Sequence, residues 1–259
     1  MKRTRTIAVL TALAMAAASL PGCVTLRTAD ADPAGQTEIG TAAGEDQRAE
    51  SLTQTLASVL PSDALSGAEV EGDQVQVDLL SGGDGRSTLE DTRAIQAVYE
   101  SIRACGFGDT VQTVRIRVFD RNRALLFEQT GHRSEEESRT EDAGNVTEEE
   151  IAAQVSGWLE AVPYRTESLS VSPPLPGGTL EIGLRAESVS DIRFDEIDAL
   201  LENVQAYADR NRSLCACSVG VTVGEECALY AVRDFDFGCL TAWISPAYEE
   251  TFIGQEGPR

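Results

Sequence analysis

Lysine is nearly missing from this chain: Lys2 is the only one, so every cation beyond the N-terminal segment is Arg. Histidine also occurs once, as His132, and aromatic residues make up 5% of the 259 positions. These shortages exclude familiar sites. No P-loop is present, and the Asp236-Phe237-Gly238 triplet lacks the glycine-rich loop, the lysine and the His-Arg-Asp sequence that would make it a kinase metal motif. No Gly-x-Ser-x-Gly elbow occurs either. His132 lies among carboxylates in GHRSEEESRTEDAGN and reads as a surface residue, neither catalytic nor metal-ligating. The longest apolar run, Ile7 to Leu20, falls short of the roughly 20 residues that cross a bilayer as a helix.

That run has the flanks of an export signal instead. MKRTRT supplies Lys2, Arg3 and Arg5, the apolar core follows, and SLPGC closes the segment at Cys23. Leu three residues before a cysteine and Gly immediately before it resemble the bacterial lipobox, with Pro21 an unusual occupant of the middle. The resemblance implies cleavage before Cys23 and a lipid on its thiol, which replaces a hydrophobic helix as the membrane contact. The segment carries three cations and no carboxylate, so the net charge of −22 becomes −25 once it is gone. Such a field disfavours nucleic acid and anionic lipid surfaces as partners.

Residues 23–44 are rich in Ala, Asp, Gly, Thr and Pro without periodicity and read as a flexible tether with a root-mean-square reach of about 25 Å. Residues 131–145 read as an acidic linker. Between and beyond these segments the chain repeats itself. Val75, Val77 and Leu79 in QVQVDLL alternate as one face of a strand. Adding 105 to each number reaches Leu180, Ile182 and Leu184 in TLEIGLR. The same shift carries the helical positions Leu89, Ile95, Tyr99 and Ile102 onto Phe194, Leu200, Val204 and Tyr207, and the strand Val114, Ile116, Val118 onto Val219, Val221, Val223. A further strand follows each unit, at Ala124 to Gln129 and Cys227 to Arg233. A helix precedes each, with Leu52, Leu56 and Val59 in the first and Val155, Leu159 and Val162 in the second. The fold class expected is therefore α+β: two tandem α-β-α-β-β modules, residues 45–130 and 146–248, with helices packed on small sheets and a tail at 249–259. Thr147 is the expected N-cap of the second module's leading helix, with Glu150 completing a capping box.

EGDQVQVDLLSG, TLEDTRAIQAVYESI and VQTVRIRVF, in this order, resemble the GerMN domains of spore-germination proteins and of some actinobacterial lipoproteins. The second copy departs from that pattern, with LEIGLRAES in place of the VDL segment. The resemblance implies a non-enzymatic envelope module without a cofactor.

Beyond Cys23, five cysteines remain. Cys105 ends the first module's helix, and Cys215, Cys217, Cys227 and Cys239 gather in the second module. In an oxidising compartment, bridges among the last four are the expectation, with Cys105 free unless one bridge crosses between modules. The spacings lack the two-residue separation of structural zinc sites, so no metal is expected. Arg115 and Arg117 should face outward from VRIRV, with Arg121 and Arg123 in the adjoining turn. Four clustered arginines form a candidate anion site, although pairing with neighbours such as Glu128 would satisfy them equally. The sequence as a whole describes an extracytoplasmic lipoprotein, held to the membrane by lipid and acting as a non-catalytic binding or scaffold module. Its partner would be an envelope protein or cell-wall component. A thiol-disulfide oxidoreductase or an envelope hydrolase is the alternative.

Overall fold

Strand alternation and helix periodicity build two sheets and the helices between and beside them. The computed structural model describes residues 39–83, 85–133, 146–172, 177–211 and 213–252, all of them within one compact unit. The first module runs α1 (Ile39–Val59), β1 (Leu65–Glu71), β2 (Gln74–Leu80), α2 (Leu89–Ala104), β3 (Thr113–Phe119) and β4 (Leu125–His132). The second runs α3 (Glu148–Leu159), β5 (Arg165–Val171), β6 (Gly178–Ala186), α4 (Phe194–Asn211), β7 (Leu214–Val223), β8 (Glu226–Asp234) and β9 (Cys239–Ile244), followed by the short α5 (Glu249–Phe252). The sheets have the orders β1-β2-β3-β4 and β5-β6-β7-β8-β9. In each, the strand before the crossover helix lies parallel to the strand after it, as β2 to β3 and β6 to β7.

The α+β class and the repeated modules stand. Val77 and Ile182 hold matching buried positions on β2 and β6, and Ile95 and Leu200 do so on α2 and α4. The 105-residue shift maps the first residue of α2 onto the first residue of α4. Thr88 and Asp91 cap α2 with a reciprocal box, and Thr147 and Glu150 cap α3 in the same way.

Several boundaries differ. Each module gains a strand between its two helices: β1 and β5 form sheet edges, where half-exposed sequences such as LSGAEVE and RTESLSV show little apolar alternation. The second sheet also gains β9. Helix α1 starts at Ile39, inside the segment expected to be tether, and β4 extends to His132, inside the expected linker. His132 pairs with Thr113 across the ladder. Val59 is exposed, and Leu60 takes its place in the core. The leader, the rest of the tether, most of the acidic linker and residues 253–259 lie outside the described residues.

Helix α2 explains why this is one body. Its apolar side, with Ile95, Val98 and Ile102, closes the core of the first sheet. Yet Thr92 and Gln96 are buried too. The second sheet covers them: the face of β6 and β8 that points away from α4 carries Thr179, Tyr230 and Asp234, and these contact α2. The layers therefore run first sheet, α1 with α2, second sheet, α3 with α4. With both faces covered, β7 is buried without alternation from Leu214 through Val219, as expected for a strand enclosed on both sides.

Candidate functional site: the module interface and the open sheet face

Three side chains of α2 reach polar partners on the second sheet. Gln96 Oε1 accepts from the Tyr230 hydroxyl at 2.9 Å, Glu100 Oε1 accepts from Thr179 Oγ1 at 3.0 Å, and Arg103 donates to Asp234 Oδ2 at 2.6 Å. Arg93 also lies over the Tyr230 ring, 5.5 Å from its centroid. Asp234 does a second job, since its Oδ1 accepts from the backbone N–H groups of Asp236 and Phe237 and so shapes the β8–β9 turn. Burial acts to lower the Arg103 pKa, but the Asp234 carboxylate overrides it, and the guanidinium is held above its ordinary value.

That turn carries Phe237 and Cys239 out of the second module and into the core of the first. The Phe237 ring stacks on Tyr99 at 5.5 Å, and the Arg133 guanidinium lies over it at 5.1 Å. Gly131 of β4 makes room, because a Cβ there would stand 2.7 Å from Cys239 Sγ and 2.8 Å from Phe237 Cβ. The Asp-Phe-Gly triplet is thus a packing device. Thr241 Oγ1 donates to Gln129 Oε1 at 2.7 Å and extends the seam onto β4.

All five described cysteines are free thiols, where bridges were expected in the second module. The register supplies the reason. Cys217 lies opposite Arg233 while Cys227 lies opposite Thr222, a displacement along the ladder of about 16 Å. Cys215 and Cys239 sit on β7 and β9 with β8 between them, about 9.5 Å apart in the pairing direction, whereas a disulfide needs Cα atoms within about 7 Å. Cys105 is the C-cap of α2, with its thiol 3.8 Å from Thr55 Oγ1 of α1. It is buried as well.

Burial raises the thiol pKa values of Cys217, Cys227 and Cys239, and that of Cys215 is pushed up from 9.0 to about 12 against the opposing pull of Arg103. At neutral pH these groups are protonated and poorly nucleophilic. Iodoacetamide at pH 8 should therefore label the native protein slowly, with Cys227 first because it alone is only half-buried. Peptide mass mapping over a time course checks this. Fast labelling of Cys215 or Cys217 in folded protein would show that the thiol environment is wrong.

The arginines divide. Arg115 donates through Nε and Nη2 to Glu128, and Arg117 makes a bidentate pair with Asp78 at 2.8 and 2.6 Å. Both lie on the face of the first sheet that turns away from α1 and α2, and each charge is met by a carboxylate of that face. Arg121 and Arg123 stand in the β3–β4 turn. Arg123 donates to Ser66 of β1, and neither meets a carboxylate among the described residues. The four arginines thus do not converge on one site. Among the described residues no group of His, Cys, Asp and Glu is arranged to hold a metal, and no helix is long and apolar enough to cross a membrane. Sequence reasoning missed the interface residues Gln96, Glu100, Arg103 and Asp234. The one sign of them was the polar side of a helix whose apolar stripe was already complete.

No protein-family model matches the chain, and no curated protein matches it. Among solved structures, a sex pheromone staph-cAM373 precursor is similar at 9% identity with a TM-score of 0.28, over 83% of this chain and 100% of that one. A sex pheromone precursor from Lactobacillus salivarius shows 9% identity and a TM-score of 0.25, over 68% of this chain and 62% of that one. The C-terminal domain of the staph-cAM373 precursor from Staphylococcus aureus gives 10% and 0.24, over 74% and 72%. At these scores nothing is carried over to this chain.

Proposed function

We propose that this protein is an extracytoplasmic lipoprotein, tethered by lipid on Cys23, whose two GerMN-like modules act together as a rigid, non-catalytic binding or scaffold body of the cell envelope. SLPGC and the segment before it support the location. One structural observation carries the role: the groups best suited to chemistry are taken up by the interior and by the contact between the modules. Arg103 and Asp234 pair with each other, Asp234 also fixes a turn, and Cys215, Cys217 and Cys239 are buried thiols of raised pKa. A redox enzyme needs an exposed thiolate of lowered pKa instead. The surface left for recognition is the polar outer face of the first sheet and the turns at its ends.

Cys23→Ser tests the anchor. The variant should leave the membrane fraction or accumulate unprocessed, while the native protein stays with membranes and partitions into detergent. A variant that remains membrane-bound at the mature mass would sink the proposal.

A further inference from the structure

The two large hydrophobic side chains that stand most exposed among the described residues, Leu125 at 51% and Val59 at 56%, lie at the same end of the first module. Leu125 opens β4 beside the β3–β4 turn. Val59 closes α1, just before the stretch in which Ala64 accepts from Leu80 N–H at the end of β2. Leu80, Phe119 and Leu125 pair in a row across this end of the sheet. Arg121 and Arg123 sit beside that row. Asp120, the acidic residue of the turn, is buried with its Oδ1 accepting from the N–H groups of Asn122 and Ala124, so it presents little charge to an approaching partner. The turn is therefore a locally cationic, partly apolar tip, with Asp63 exposed in the neighbouring stretch after Val59, on a protein of net charge −22.

Arg123 adds an independent sign. Its φ of +66° makes it the one non-glycine residue in the left-handed region among the described residues. A side chain with a Cβ pays for that conformation, and Asn or Gly is the common occupant. Asn122 stands next to it, yet the chain puts Arg at the strained position and leads its guanidinium across the sheet end to Ser66. Strain held in place by the surrounding structure is a pointer to function.

We propose that the β3–β4 turn, with Arg121, Arg123 and Leu125, is a docking tip for an acidic protein segment that carries apolar residues. The local charge of the turn selects a short acidic segment, which, unlike an extended anionic surface, meets the turn without meeting the rest of the negative field. The exposed Leu125 row selects a protein segment over a purely ionic polymer, which would gain nothing from it. The chain enters the fold at the opposite end of α1, a 21-residue helix about 32 Å long.

The test uses the soluble form beginning after Cys23 and a fluorescent 12-residue peptide of alternating Glu and Leu, read by anisotropy at low salt, beside polyglutamate and inorganic polyphosphate. The peptide should bind, weaken as salt rises, and lose roughly tenfold or more in affinity with Arg121→Glu/Arg123→Glu, as expected for charge-assisted contacts. Leu125→Ser should weaken the peptide but leave polyglutamate unchanged. Arg123→Asn should keep the melting temperature or raise it while weakening the peptide, which separates a docking role from a structural one. No binding of the peptide, binding indifferent to the double reversal, equal binding of polyphosphate, or unfolding of Arg123→Asn would each overturn the proposal. None of these outcomes bears on the anchor, which Cys23→Ser decides separately.

Discussion

Truncating Phe237 to alanine will destabilise the protein by about 3–5 kcal/mol, the usual cost of deleting a buried aromatic ring, and the loosening will appear in the first module. Phe237 belongs to the second module by sequence, yet it is 1% exposed within the core that Ile95, Val98 and Ile102 build on α2. Removing the ring leaves Tyr99 without its stacking partner and opens a cavity against Gly131, where the close-packed backbone of β4 can relax only partly. Urea denaturation gives the loss. Hydrogen exchange locates it, with α2 and β4 faster than in the native protein and α3 and α4 little changed. Faster exchange confined to the second module would mean that the turn does not complete the first core.

Asp234→Ala will cost a similar amount, about 3–5 kcal/mol, because it leaves the Arg103 charge buried without its partner. The side chains are 16% and 3% exposed, and Asp234 also orders the turn that delivers Phe237. Asp236, 3.6 Å from Arg103, retains part of the attraction and sets the lower end of the range. Replacing both partners, as in Arg103→Met/Asp234→Leu, removes the unpaired charge and should recover part of the loss. A double-mutant cycle on urea denaturation measures the coupling. If the two single effects simply add, the pair does not hold the interface. Both Phe237→Ala and Asp234→Ala should keep a single unfolding transition, since two modules that share a core do not melt separately.

The second module shows most clearly where local pattern stops being informative. In β6, Leu180, Ile182 and Leu184 are buried and Glu181 and Arg185 are exposed, so period two appears in the residues themselves. In β7 the same period is masked, because LCACSV is buried on both faces. A run of small residues and cysteines there looked like a disulfide framework. It is instead part of the interior, with Leu214, Cys217 and Val219 in the core that α4 closes, for thiols are small and apolar enough to line one. The edge strands β1 and β5 were illegible for the opposite reason: with little buried surface, they carry little apolar signal. The arginines show a third case, since alternation correctly turned Arg115 and Arg117 outward but could not say that Asp78, from the neighbouring strand, would meet Arg117.

The sequence by itself determined the two α+β modules, the shift that relates them and the capping of α3. Each of these depends on residues near one another in the chain, where helix and strand periods and side-chain-to-backbone bonds leave a direct imprint. Only the tertiary structure decided that α2 lies between two sheets, that Phe237, which belongs to the second module by sequence, fills the core of the first, and that the thiols stay apart. Those outcomes depend on which faces of distant elements meet, and a one-dimensional pattern records that a face is apolar without recording what will cover it.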